Sequence, residues 1–178
     1  MIRFGPPAAT CLVVTSREGA LAALGHDLEL TVTRFDVRVD EIARRVDASF
    51  DAASLRVVRA LRAGRESPIS DGDRRAIEDN VRKHVLETSR HPEVRFRSSR
   101  VADTGDGFDV TGKLTIRGEE REVVVRLRRT GDRYVATVTL DQTRWGIQPY
   151  GVMMGMIRVK ADVVVRLSLP AEPSPATT

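Results

Sequence analysis

The stretch from His91 to Leu127 constrains this chain more than any other. Along it apolar and polar residues alternate with a period of two. The apolar set runs through Val94 and Phe96, then Phe108, Val110, Leu114 and Ile116, then Val123, Val125 and Leu127. Three such runs in succession predict antiparallel strands with one face in a core and one in water. Their connectors, 103–107 and 117–120, are short and carry glycine where a tight turn calls for positive φ. A three-stranded meander is therefore the frame that the other segments extend.

The alternation continues on both sides of that frame. Residues 8–16 read as a first strand. Leu28, Leu30 and Val32 share a face, whereas Phe35, Val37 and Val39 fall on the opposite parity. That phase slip predicts a bulge or sharp bend at Thr33-Arg34. A second slip, around 51–54, interrupts a strand carrying Val46, Ala48, Phe50, Leu55 and Val57. Residues 134–140 and 157–169 supply two more strands, the last with Ile157, Val159, Val163, Val165, Leu167 and Leu169 on one parity. Residues 20–28 are too short for a helix, and Gly25-His26-Asp27 leads into the next strand. Beyond a Gly/Pro/Ser-rich loop, Ile77, Val81 and Val85 form one stripe of a helix capped by Asp71 or Asp73 and ended by His91-Pro92.

Eight strands, one helix and no βαβ alternation predict an all-β fold, an eight-stranded antiparallel β-barrel over residues 1–170 with a disordered tail at 171–178. Long strands with mid-strand slips favour closure, because a strongly coiled sheet turns its corners at bulges. A barrel of this size is either filled by its own side chains or holds one elongated apolar ligand. That fork is the functional question.

Composition removes several alternatives. With 178 residues, 41% hydrophobic and 30% charged, the chain suits one soluble core. No apolar run approaches the roughly 18 residues of a membrane helix, and the first apolar run is short and broken by prolines; the expectation is a cytoplasmic protein. The single Cys11 allows neither an internal disulfide nor a cysteine zinc site, and reads as a small apolar strand residue. A net charge of +4 and a pI near 9.8 would suit nucleic acid or an anionic membrane. Base stacking needs exposed aromatics among the basic residues, and Trp145, Tyr134 and Tyr150 are scattered, so nucleic acid is not expected as a partner. Arg56, Arg59, Arg62 and Arg65 read as a solvated edge that discourages sheet pairing. Their functional reading is a transient contact with an anionic lipid surface.

Chemical machinery is sparse. His26, His84 and His91 do not share a metal-binding spacing, and no metal or cofactor is expected. There is no G-x-S-x-G elbow, no H-E-x-x-H and no Walker-type phosphate loop. The expectation is a non-enzyme. A lipid hydrolase or isomerase would need His26 and Asp27 to converge on a pocket mouth, whereas neighbours on a strand point to opposite faces. Met153, Met154 and Met156, around Gly155, either form an adaptable surface for a flexible chain or plug the barrel end.

Two motifs carry a family resemblance. Pro92, Val94, Phe96 and Ser98 match a P-x-(I/V)-x-F-x-S strand, and Gly112, Leu114, Thr115, Ile116 and Gly118 match G-x-L-T-I-x-G. With the late bend from Gln142 to Ile147, they resemble the YceI-like family of lipid-binding proteins. The chain departs from that family at Gln142, Arg144 and Trp145, and in the segment from Ala20 to Val32. The resemblance implies a lipocalin-like barrel whose relatives bind polyisoprenoids or similar long-chain amphiphiles. The leading expectation is non-enzymatic binding or carriage of a polyisoprenoid, quinone or fatty acyl chain. Leu30, Val32, Phe96, Leu114, Val125, Val138, Trp145 and Val163 are its candidate lining residues. The alternative is a filled barrel acting as a structural or protein-interaction module.

Overall fold

The computed structural model describes residues 1–20, 22 and 25–172. The expectation for residues 20–28 falls partly, at Leu21, Ala23 and Leu24, outside the described residues. So does most of the expected disordered tail, at 173–178.

Among the described residues, thirteen strands make one antiparallel sheet. They are β1 (Ile2–Phe4), β2 (Thr10–Glu18), β3 (Asp27–Val32), β4 (Phe35–Asp40), β5 (Arg45–Asp51), β6 (Leu55–Arg62) and β7 (Arg65–Glu66), followed by β8 (Glu93–Thr104), β9 (Gly107–Ile116), β10 (Glu119–Thr130), β11 (Arg133–Asp141), β12 (Gly151–Val152) and β13 (Ile157–Pro170). The hydrogen-bonded order is β1-β4-β5-β8-β9-β10-β11-β13-β2-β3-β6-β7, with β12 on β13, and it is open at β1 and β7. The sequence count of eight differs for two reasons. Two expected strands are each cut by a kink, and three short strands, β1, β7 and β12, are too brief to show alternation.

The kinks are specified chemically. β3 and β4 are separated by Thr33 and Arg34, and β5 and β6 by a 3-10 turn at Ala52–Ser54. Ser54, fully buried, joins the two corners: its Oγ accepts from the Arg34 backbone N–H (3.1 Å) and donates to Asp51 O (2.8 Å). The Thr33 hydroxyl donates to Ser54 O at 2.9 Å, and the Arg34 guanidinium clasps the Asp51 carboxylate. Buried corner groups are thereby satisfied where the ladder cannot serve them. Below the corner β3 pairs with β2 and β6, and above it β5 pairs with β4 and β8, so one kinked hairpin is laddered to both flanks of the sheet.

In the central meander, β9 and β10 meet in a two-residue turn in which Arg117 (φ 51°) and Gly118 (φ 78°) are both left-handed, the type I′ geometry of a hairpin. The first turn corrects the expectation. Thr104 pairs with Gly107 around Gly105-Asp106, and neither glycine 105 nor 107 uses positive φ. Gly107 serves a close approach instead, since a Cβ there would lie 2.1 Å from Leu127 O. The motif residues act locally too: the Phe96 ring lies over Gly112, where a Cβ would meet it at 2.6 Å, and Ser98 Oγ accepts the Val46 N–H at 2.8 Å.

Helix α1 (Asp71–Asn80) is capped by Ser70, whose Oγ accepts from Asp73 N–H at 3.0 Å; Asp71 and Asp73 lie in its first turn, where carboxylates favour the helix dipole. It runs into a π turn, Val81–Val85, and stops there, with Glu87 left-handed at φ 47°. The expected stop at His91-Pro92 is therefore too late: Pro92 constrains only the residue before it, and the turn at Glu87 has already reversed the chain.

Candidate functional site

A cavity of about 520 Å3 lies inside the sheet, lined almost wholly by apolar side chains. Alternation builds its walls. Cys11 and Val13 come from β2, Leu28, Leu30 and Val32 from β3, Val110, Leu114 and Ile116 from β9, and Val123, Val125 and Leu127 from β10. The phase slip at Thr33-Arg34 keeps Val37 and Val39 on the cavity side after the parity changes. All eight candidate residues (Leu30, Val32, Phe96, Leu114, Val125, Val138, Trp145 and Val163) line this one space. Trp145, only 1% exposed, reaches it from the 3-10 turn Gln142–Trp145 and donates its indole N–H to Leu114 O at 3.0 Å.

Helix α1 and its π turn close one side, through Ile77, Asn80, Val81 and Val85. The register of β3 on β6 shifts between Glu29 and Leu30, so that Val58 has no partner in the ladder. The neighbouring Val57 N–H donates to Glu78 Oε1 on α1 at 2.9 Å, and Arg74 donates back to Val57 O at 2.5 Å. A bulge in the wall thus becomes the helix's anchor. Buried Glu78 also faces Arg56 at 3.8 Å, and buried Glu29 accepts from Arg59 at 2.9 Å. The arginine series read as a solvated edge is, at these two positions, a set of partners for buried carboxylates.

Several polar groups border the cavity, among them Asn80, Tyr150, Arg17 and His26. Tyr150 and Val152 line it while remaining 39% and 43% exposed, which marks where it meets solvent. Asn80 Nδ2 donates to the Tyr150 hydroxyl at 3.2 Å, tying α1 to the segment before β12. Arg17 donates its guanidinium to Leu61 O and pairs with Asp27 at 3.3 Å. His26 lines the cavity with Nε2 3.2 Å from Ser67 Oγ. Burial pushes the His26 imidazole below its ordinary pKa, and the cations of Arg62 and Arg17 push the same way. The Asp27 carboxylate accepts the Arg17 backbone N–H at 2.9 Å and is not among the cavity-lining groups. His26 and Asp27 therefore do not converge as the lipid-enzyme reading requires. Among the described residues no three His, Cys, Asp or Glu side chains form a metal-binding group.

The helix stripe, Asn80, Tyr150 and Cys11 were not among the sequence-based candidates. The stripe's spacing was visible, but its function as a cavity wall depends on the bulge at Val58. Cys11 is 3% exposed, and burial pushes its thiol up to about 12. Thiolate is the reacting species, so the native protein is expected to resist iodoacetamide at pH 8 and to be alkylated at once in 6 M guanidinium. Equal rates in the two conditions, read by mass spectrometry, would place Cys11 outside the core.

An antiparallel sheet wrapped around an apolar cavity, with one helix at its side, defines a lipocalin-like class of fold. Residues 13–171 match the YceI-like domain family, and the chain belongs to it. Solved structures share the fold at low identity. BcnA from Burkholderia cenocepacia superposes with a TM-score of 0.61 at 18% identity, covering 90% of this chain and 94% of that one. The Campylobacter jejuni YceI protein gives 0.57 at 10%, covering 82% and 85%. A polyisoprenoid-binding domain from Saccharophagus degradans, implicated in plant cell wall breakdown, gives 0.50 at 11%, covering 92% and 95%. No curated protein matches the sequence.

Proposed function

We propose that this protein binds or carries an elongated apolar molecule, a polyisoprenoid, quinone or fatty acyl chain, inside the sheet, with no catalytic step. The observation that carries the reading is the cavity. At about 520 Å3 it falls within the roughly 300–1,000 Å3 typical of small-molecule sites, and its walls are apolar over nearly all their area. Burial contributes about 0.8 kcal/mol per methylene, so ten methylenes supply roughly 8 kcal/mol before the costs of association. The structural likeness to the polyisoprenoid-binding domain of Saccharophagus degradans supports the same chemical class. Counted through its two kinks, the wall has eight long strands, and we read it as functionally an eight-stranded barrel. A filled structural module would need large side chains meeting at the centre, and a void of this size weighs against it.

The test is native mass spectrometry of material purified without detergent, with lipid extraction, together with thermal melting. An apolar molecule is expected to co-purify, and added geranylgeraniol or palmitate to raise the melting temperature, since a ligand at a hundred times its Kd stabilises by about 2.7 kcal/mol. Bare protein in the spectrometer, and melting unmoved by either compound, would defeat the reading.

A further inference from the structure

The cavity meets solvent beside a patch of exposed apolar side chains. Val152 is 43% exposed, Met153 57%, Met154 101% and Met156 46%, all on β12 and the turn that follows it. An exposed cluster of this kind on a soluble chain marks an interaction surface. The backbone presents it actively: Met153 (φ 52°) and Met154 (φ 56°) are both left-handed, a conformation that residues with side chains adopt at a cost. The turn is seated rather than loose. A Cβ on Gly19 would come within 2.4 Å of Met156 O, so the chain beneath packs directly against it.

We infer that this turn docks the protein on an anionic lipid bilayer, with the methionines entering the interface and the cavity opening onto it. Two observations choose a bilayer over a protein partner. From Gln142 to Ala161 the chain holds no carboxylate; Arg158 is paired with Glu18 on β2 at 2.6 Å, and exposed Arg144 and Lys160 complement an anionic surface. The patch is also continuous with the mouth, because Tyr150, Val152 and Ile157 line the cavity and lie within or beside it. A cargo insoluble in water passes between membrane and cavity most directly where the two touch. The inference rests on the proposed ligand reading only for this last point. Methionine suits such a contact, being apolar, unbranched and able to repack against lipid chains.

The experiment uses the full chain and large vesicles of phosphatidylcholine, with or without phosphatidylglycerol. Wild type is expected to sediment with phosphatidylglycerol vesicles and to be released by salt, which screens the cationic contribution. Met153→Asp with Met154→Asp is expected to weaken that binding at least about tenfold with melting unchanged, while Met154→Leu retains it. A dansylated farnesyl probe separates the two readings. Added from ethanol, it should bind wild type and the double variant equally; loaded in vesicles, it should transfer to the variant at least about tenfold more slowly. Failure of the probe to bind from ethanol, with sedimentation still dependent on the methionines, would sink the ligand reading and leave docking standing. Wild type that ignores both vesicle types overturns docking. So does a dimer, seen by light scattering, that the aspartates dissociate, because the patch would then belong to a second copy.

Discussion

Trp145→Ala is expected to cost about 3–5 kcal/mol of stability, the range for removing a large buried aromatic. Trp145 is 1% exposed and packs in the cluster that holds Phe96, Val110, Leu114 and Ile147. Its indole N–H also donates to Leu114 O, on the cavity wall, at 3.0 Å. Alanine would remove both the ring and the donor, and the space left would merge with a cavity that cannot collapse to fill it. Trp145→Phe separates the two contributions. It keeps most of the apolar volume and loses the hydrogen bond, so it should cost nearer 1–2 kcal/mol, from the lost bond and the looser fit of the smaller ring. Urea unfolding of both variants checks this. Equal losses would mean that the hydrogen bond, and not the ring, holds the bend, and an alanine loss below about 1 kcal/mol would mean that Trp145 is not a core residue.

The two Trp145 partners show how much of the site was legible. Leu114 and Phe96 are assigned to the interior by alternation alone, because a period of two leaves one choice of face per strand. The same rule located the corner at Thr33-Arg34, since a change of parity within one apolar face demands a change in the strand. What alternation cannot express is a contact between groups distant in the chain. Glu78 reads as one more helix carboxylate until the bulge at Val58 leaves the Val57 N–H for it to accept. Glu29 sits on the face opposite Leu28 and Leu30 and looks solvated until Arg59 is brought to 2.9 Å. Nor does the pattern say whether inward side chains meet. Val125, Val138 and Val163 would be equally inward in a filled barrel, and only the diameter of the coiled sheet leaves a space between them.

Filling that space is expected to abolish ligand binding while sparing the fold. Val125 on β10 and Val163 on β13 line different walls of the cavity. Val125→Trp or Val163→Trp would place an indole where the proposed apolar chain lies. Overpacking a close-packed core costs about 1–3 kcal/mol, but here there is a void to accept the ring, so the stability change should fall at or below the low end of that range. Exclusion of the chain, by contrast, forfeits its whole apolar contact, and affinity for a long-chain probe should fall at least a hundredfold, equivalent to about 2.7 kcal/mol. Val125→Ala and Val163→Ala are the controls: they enlarge the cavity, should lose about 1–2 kcal/mol of stability, and should still bind. The measurement is a fluorescent farnesyl titration beside thermal melting on all four variants. If both tryptophan variants fold and bind as wild type does, the ligand does not occupy the sheet interior, and the exposed surface around Tyr150 becomes the place where it sits.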